Sequence, residues 1–433
     1  MKPLCIISCP IDTFSGYGAR SRDFVRALIK VKEEEWDIKI LPQIWGECPW
    51  SFLSSDDPLT QRFIQGLDPQ KQPDIWMQIT VPNEFQPMGK FNVGITAGIE
   101  TTIFPPEFID GFNRMNLNLV SSNHSKNVAL ACQFEKKDNK TQQSVGIIKC
   151  EKPVEVLFEG LDLTKYNKKP QNSGILKDIQ EDFCFLYTGH WLPGNFGEDR
   201  KNTGLMIKTF LETFNTPSKK KPALILKTNI VNYSLLDREH ILKQIHKIKD
   251  KITGTLPNIY LLHGEMTDEE MNQLNNDSKV KAFVSFTKGE GFGRPLIEAA
   301  ITGKPLITTN WSGHIDFLKP DYNILIGGEL KNVHKSAANK FLLKESQWFN
   351  INTDIASRAM KDLFKHYKKY LENSRKQTQY LKDNWSFDKM AEKLNTLMPK
   401  VEAAPQMQQL NLPKLKKVGE DKIKLPKLKK TEA

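Results

Sequence analysis

Short apolar runs recur along this chain, and stretches with helical spacing separate them. A first series reads "LCIIS" (4–8), "DIKILP" (37–42), "DIWMQIT" (74–80), "FNVGIT" (91–96), "LNLVSS" (117–122) and "VEVLF" (154–158). A second reads "FCFLYTG" (183–189), "ALILKT" (223–228), "NIYLLHG" (258–264), "KAFVSF" (281–286), "PLITTN" (305–310) and "NILIG" (323–327). Apolar residues at successive positions mark strands covered on both faces. Helical patterns at 20–31, 201–214, 235–251, 267–276 and 294–302 lie between them. This alternation predicts parallel sheets of the α/β class.

Twelve strands exceed one comfortable doubly wound sheet, and the series breaks at 160–182, a polar stretch with Gly, Pro, Asn and Ser. Two Rossmann-like domains of similar size, 1–165 and 166–385, are therefore expected to face each other, with part of that stretch as linker. After residue 335 the pattern turns helical. "SFDKMAEKLNTLM" (386–398) predicts a terminal helix with Ser386 as its N-cap. Residues 399–433 read as a disordered basic tail.

Composition narrows the class. Over 433 residues, 39% apolar content with eight Trp excludes wholesale disorder. No run of 18 apolar residues exists, so no spanning helix is expected. "MKPLCIISCP" reads as a first buried strand rather than a secretory signal. Six cysteines without a CxxC pair read as reduced thiols of a cytoplasmic protein, peripheral at a membrane if the tail binds one. The net charge of +11 is uneven. Eight lysines against Glu420, Asp421 and Glu432 leave residues 411–433 at +5, so the other 410 residues carry +6. The tail repeats "LPKLKK" at 412–417 and 425–430, and its prolines argue against a continuous helix. It reads as solvated chain, or as an electrostatic tether to nucleic acid or an anionic membrane surface.

Chemistry concentrates in "TKGEGFGRPLIEAAITGKPLITTN" (287–310). A buried strand leads into a glycine-rich turn, Pro295 suits a first helical position, and Gly303 suits the helix end. Glycines let the backbone approach a ligand, and free amides around 292–296 suit a phosphate. Glu290 and Glu298 would repel that phosphate but accept hydrogen bonds from hydroxyls. Two of them about one anion site suggest a ligand with sugars on both sides of a phosphate, as in a nucleotide sugar. The run is not GxGxxG, lacks a Walker lysine, and has no VAIK, HRD or DFG companions. The plain alternative is a tight strand–helix turn carrying surface glutamates.

The stretch resembles the retaining glycosyltransferases of the GT-B fold, of the large family-four (glycosyl transferases group 1) type. Their hallmark is E-x7-E, the spacing of Glu290 and Glu298 in "GEGFGRPLIEAAITGKPLI". The resemblance spans about 1–398, is strongest over 183–330, and implies two facing domains with the terminal helix crossing back to the first. It implies that Glu290 lies by the donor sugar and Glu298 binds the ribose. Gly291, Phe292, Gly293, Pro295 and Leu296 would line the donor through the backbone, with the prolyl nitrogen unable to donate.

Further positions follow from the same resemblance. In "FLYTGHWLPGNFGEDRKNTGLMIKTF" (185–210) the family's glycine–arginine pair is replaced by Gly189-His190. Lys201 would contact the donor diphosphate, with Arg200 substituting for the missing arginine and Lys227 pointing toward the cleft. In "DTFSGYGARSRDFVRAL" (12–28), Gly16 and Gly18 would reach the diphosphate or acceptor, with Tyr17 as a lid. The family's histidine after the fourth strand is replaced by Glu100 in "GIET", and His124 is a second candidate for the acceptor side. In "NWSGHIDFL" (310–318), Ser312 and Gly313 would approach the nucleotide under Trp311, and His314 would support them. No DxD pair and no zinc spacing occur, which fits a metal-independent mechanism without a cofactor.

The expected activity is transfer of a sugar from a UDP- or GDP-linked donor to an acceptor hydroxyl. A glycan or lipid-linked sugar is the first acceptor class. The basic charge leaves open a hydroxylated DNA base, as used by phage-type enzymes of the same fold. A non-catalytic nucleotide-sugar or polyanion binding protein is the reading of another class.

Overall fold

The computed structural model describes residues 2–138, 141, 143–169 and 174–401. The expected basic tail lies outside the described residues beyond Val401.

The amino-terminal half runs β1 (Leu4–Cys9), α1 (Gly16–Lys32), β2 (Asp37–Pro42), β3 (Ile75–Ile79), β4 (Phe91–Thr96), α2 (Pro106–Arg114), β5 (Leu117–Val120), α3 (Asn123–Ala131), β6 (Gln133–Lys137), β7 (Ser144–Lys149) and β8 (Val154–Val156). Six of these strands form one parallel sheet, in the order β2-β1-β3-β4-β5-β8. Its inner strands are buried at nearly every position, as expected of a parallel sheet covered on both faces.

The carboxy-terminal half runs β9 (Cys184–Thr188), α4 (Thr203–Thr213), β10 (Ala223–Lys227), α5 (Leu235–Lys249), β11 (Ile259–Leu262), α6 (Asp268–Asn276), β12 (Val280–Val284), α7 (Arg294–Ala300), β13 (Leu306–Thr309) and β14 (Ile324–Ile326). Then come β15 (Gly328–Asn332), β16 (Gln347–Ile351), α8 (Thr353–Lys365), α9 (Tyr367–Asn384) and α10 (Phe387–Leu397). Its parallel sheet has the order β11-β10-β9-β12-β13-β14. The order reverses between β9 and β12, so the loops after these two strands flank a crevice at the carboxyl ends.

All twelve expected strands form, and two hairpins were not anticipated. One is β6–β7. The other, β15–β16, corrects the expectation that the chain turns helical after 335: helix resumes only at Thr353. The helix expected over 294–302 is also shorter. α7 ends at Ala300, and Gly303 sits two residues past its cap at φ 79°.

α10 is capped by Ser386, whose side chain accepts from the Lys389 amide, and it packs on α1 of the first half. Gly160 makes that contact close: a Cβ there would lie 2.7 Å from Met390 Cβ. Buried Arg20 of α1 donates to the carbonyls of Leu157 and Phe158 beside it. One hydrophobic core thus runs through both halves, from Ile7 and Ile95 to Leu296 of α7 and Met390 of α10.

Candidate active site

The loops after β9 and β12 bring Arg200, Lys201 and Glu290 together. Glu290 is buried, and its carboxylate accepts from Lys201 Nζ at 2.6 Å, Thr287 Oγ1 at 2.7 Å and Arg200 Nη1 at 3.4 Å. Burial alone would push this carboxyl up. The charges of Lys201 and Arg200 and the hydrogen bonds from Lys201 and Thr287 outweigh burial and hold it at about 2. Burial pulls the Lys201 ammonium below its ordinary value against the attraction of Glu290. Arg200 spans the two halves: Nη1 donates to the Gly289 carbonyl at 2.8 Å, and Nη2 lies 3.4 Å from Glu100 Oε1 of the first half. Its own carbonyl accepts from the Lys288 amide at 2.7 Å, tying the two loops together.

The loop around Glu290 is fixed from behind by the turn after β13. The Glu290 amide donates to Ser312 Oγ at 2.9 Å, and the Gly313 amide donates to the Glu290 carbonyl at 2.9 Å. Ser312 takes φ 76° to do so. Both residues therefore brace the loop. His314 is buried, with Nε2 donating to the Thr309 carbonyl at 2.7 Å.

The close approach expected at the glycines is made by the protein's own backbone. A Cβ on Gly289 would lie 1.9 Å from the Glu100 carbonyl oxygen, and one on Gly291 would lie 1.6 Å from that of Ala97. Gly293 takes φ 101° to start α7. The Phe292 side chain belongs to the core, 5.0 Å from the Phe317 ring, and Leu296 is likewise buried. The Leu296 amide donates to the Gly293 carbonyl at 2.9 Å, so it is used within the first turn. Among the described residues, no hydrogen bond engages the amides of Phe292 and Gly293.

Glu298 faces a different set of partners. It accepts from Arg294 Nε at 2.8 Å, one helical turn away, and Arg294 Nη1 donates to Asp23 of α1 at 2.6 Å. Glu159 lies 3.7 Å from the same guanidinium. Burial pushes the Glu298 carboxyl up to about 7, and Asp268 and Asp23 add to the rise while Arg294 opposes it.

The other candidates are distributed around the cleft. Lys227 ends β10, donates to the Gly264 carbonyl, and lies 5.1 Å over the Tyr233 ring. His190 lies within electrostatic reach of Lys201, Arg200 and Lys227; burial, then these charges, pull its imidazole down to about 4. His124 opens α3 and stands edge-on to Trp311, ring centroids 4.7 Å apart. Burial, with a smaller contribution from His314, holds its imidazole at about 4. Gly16 is exposed, and a Cβ there would meet nothing within 4 Å. Tyr17 is pinned: its hydroxyl bonds Thr96 Oγ1 at 2.9 Å and accepts from the Ala97 and Gly98 amides at 3.2 Å. The residue read as a lid is thus held against the loop at 96–98.

Thr287 and Arg294 escaped the sequence reading. Arg294 carried a signal, since Arg and Glu four apart on a helix face each other. Thr287 carried none, because its partner is fixed only by the loop fold. Among the described residues, no group of three or more His, Cys, Asp and Glu is placed to hold a metal ion, and no helix is long and apolar enough to cross a membrane.

No protein-family model matches this chain, and no curated protein matches it in sequence. Solved structures do share its fold. HepE of Anabaena, in complex with UDP and glucose, is 11% identical with a TM-score of 0.57, over 91% of this chain and 98% of that one. Sucrose-phosphate synthase of Thermosynechococcus elongatus is 10% identical with a TM-score of 0.58, over 92% and 98%. The lipopolysaccharide outer core galactosyltransferase WaaB is 13% identical with a TM-score of 0.54, over 92% and 98%. The fold is GT-B: two α/β domains with parallel sheets facing each other.

Proposed function

We propose that this chain is a glycosyltransferase that moves a sugar from a UDP- or GDP-linked donor to an acceptor hydroxyl with retention at the anomeric carbon. The convergence of Lys201 and Arg200 on Glu290 at the switch point of the second sheet carries the reading. The fold adds support, because one solved neighbour holds UDP and glucose and another is a galactosyltransferase.

In this reading Lys201 and Arg200 hold the donor diphosphate, assisted by the amides of Phe292 and Gly293. The C1–O bond to the diphosphate breaks as the acceptor O–C1 bond forms on the same face. The hydroxyl proton leaves with the diphosphate. The two cations stabilise the charge that develops on the leaving group, a term worth about 10²–10³ in rate for a single preorganised donor. Glu290 accepts from the donor sugar and Glu298 from the ribose, once Arg294 shares it. Lys227 lies toward the nucleotide, while Glu100 faces the acceptor, with His124 as the alternative acceptor-side group. His124 enters uncharged at neutral pH and serves as a hydrogen-bonding group.

Thermal shift against a panel of UDP- and GDP-sugars tests the reading. A true donor at 100 times its Kd adds about 2.7 kcal/mol of stability. Lys201→Ala should lower nucleotide release from that donor by at least about 10². No shift with any nucleotide sugar, together with no release of nucleotide diphosphate, would sink it.

A further inference from the structure

A cavity of about 250 Å³ opens beside the Glu100–Arg200 pair, at the seam between the two halves. Ile99, Phe104 and Phe108 of the first half and Leu192, Phe341 and Leu342 of the second form its apolar walls. The Phe108 and Phe341 rings lie 5.8 Å apart. Phe341 belongs to the segment between β15 and β16. The start of β16, where that segment ends, is fastened to the first half by the Thr102 amide on the Gln347 carbonyl at 2.9 Å and the Gln347 amide on Thr102 Oγ1 at 2.8 Å. A second tie joins Ser336 Oγ to the Asn195 amide at 2.8 Å, in the loop that leads to Arg200.

Charge decides what the cavity can take. Among the described residues, Glu100 and Arg200 are the only charged ones that line it, and they lie 3.4 Å apart. The lining is therefore neutral as a whole and offers a phosphate or polyanion no net attraction. Its charged pair sits at the end nearest the reaction centre, since Arg200 also reaches Glu290 at 3.4 Å, and Thr101 and Asn339 are the other polar side chains that line it. The remainder would hold an apolar body smaller than a drug-sized ligand, whose sites start at about 300 Å³.

We infer that this cavity is the acceptor pocket, and that the acceptor is a small neutral alcohol with an aromatic or alicyclic body. The inference rests on the glycosyl-transfer reading above. The body fills the Phe104–Phe108–Phe341 cage, and the hydroxyl points at Glu100, which accepts its hydrogen bond. Arg200 then spans the acceptor end and the donor-sugar end of the site. The β15–β16 segment closes the cage and makes acceptor choice a property of both halves.

The test uses the full chain and the nucleotide sugar that gives the largest thermal shift. Nucleotide diphosphate release is measured with water alone, with 4-nitrobenzyl alcohol, and with glycerol, which has a primary hydroxyl but no apolar body. The expected result is a saturable rise with 4-nitrobenzyl alcohol, formation of its glycoside, and at least a tenfold preference in kcat/KM over glycerol. Leu192→Trp, which fills part of the cavity, and Phe341→Ala, which removes one wall, should each cut the ratio of transfer to hydrolysis at least tenfold. Lys201-dependent hydrolysis with equal response to both alcohols overturns the pocket assignment alone. So do variants that leave the transfer-to-hydrolysis ratio unmoved. Absence of donor binding and hydrolysis overturns glycosyl transfer itself, and the pocket with it.

Discussion

Arg294 is the residue on which the two glutamates of the E-x7-E spacing part company. Glu290 meets Lys201 and Arg200, whereas Glu298 meets Arg294 and, through it, Asp23 of the other half. The Glu298 carboxyl lies at about 7, above its ordinary 4.5, so the folded state holds its proton more tightly than the unfolded chain. The stabilisation that follows is complete below about 4.5 and is lost as the pH rises through about 7. Glu298→Gln removes that proton linkage. The melting temperature of the wild type, measured relative to this variant from pH 5 to pH 8, should therefore fall. A difference that stays constant across the range would refute the linkage. At this scale the sequence was legible in part. The resemblance singled out Glu290, Lys201 and Arg200, and the structure brings them together. It gave no sign that Glu298 shares a cation with Asp23, because Asp23 and Arg294 lie 271 positions apart and only the fold brings them together.

Among the elements, the parallel strands were the most legible, because burial on both faces leaves runs such as "ALILK" with almost no polar interruption. β15 shows the opposite case. "GELKN" is exposed at every position, so no apolar pattern announces it, and only its pairing with β16 makes it a strand. α10 was legible from its own spacing, and the resemblance sent it back to the first domain; that α1 receives it there was not legible. That docking depends on Gly160, where a Cβ would meet Met390 Cβ at 2.7 Å, Ser386 O at 2.8 Å and Phe387 Cα at 2.9 Å. Two of these three atoms are backbone, so the helix itself must move. Gly160→Ala should cost about 1–3 kcal/mol. Urea denaturation would show it as a lower midpoint with an unchanged slope. A midpoint within error of the wild type would mean that α10 shifts freely.

At the scale of the whole molecule, the two halves meet main chain to main chain. A methyl group on Gly291 would fall 1.6 Å from the Ala97 carbonyl oxygen, far inside any permitted contact. Gly291→Ala should therefore hold the halves apart and raise the radius of gyration measured by small-angle X-ray scattering. An unchanged radius would show that the loop yields instead. Sequence could announce a glycine-rich turn at this place but not what would lie against it, since the opposing segment at 97–100 comes from the other sheet. The same arrangement bears on how strongly a nucleotide sugar can bind. Where a donor needs the space beside Gly289 and Gly291, the segment 97–100 is a tethered competitor for it, always present and never diluted. A donor that needs that space binds only the fraction of molecules in which the tether is released, and its apparent Kd is the intrinsic value divided by that fraction. A weak measured affinity would then report the grip of the molecule on itself as much as its fit to the donor.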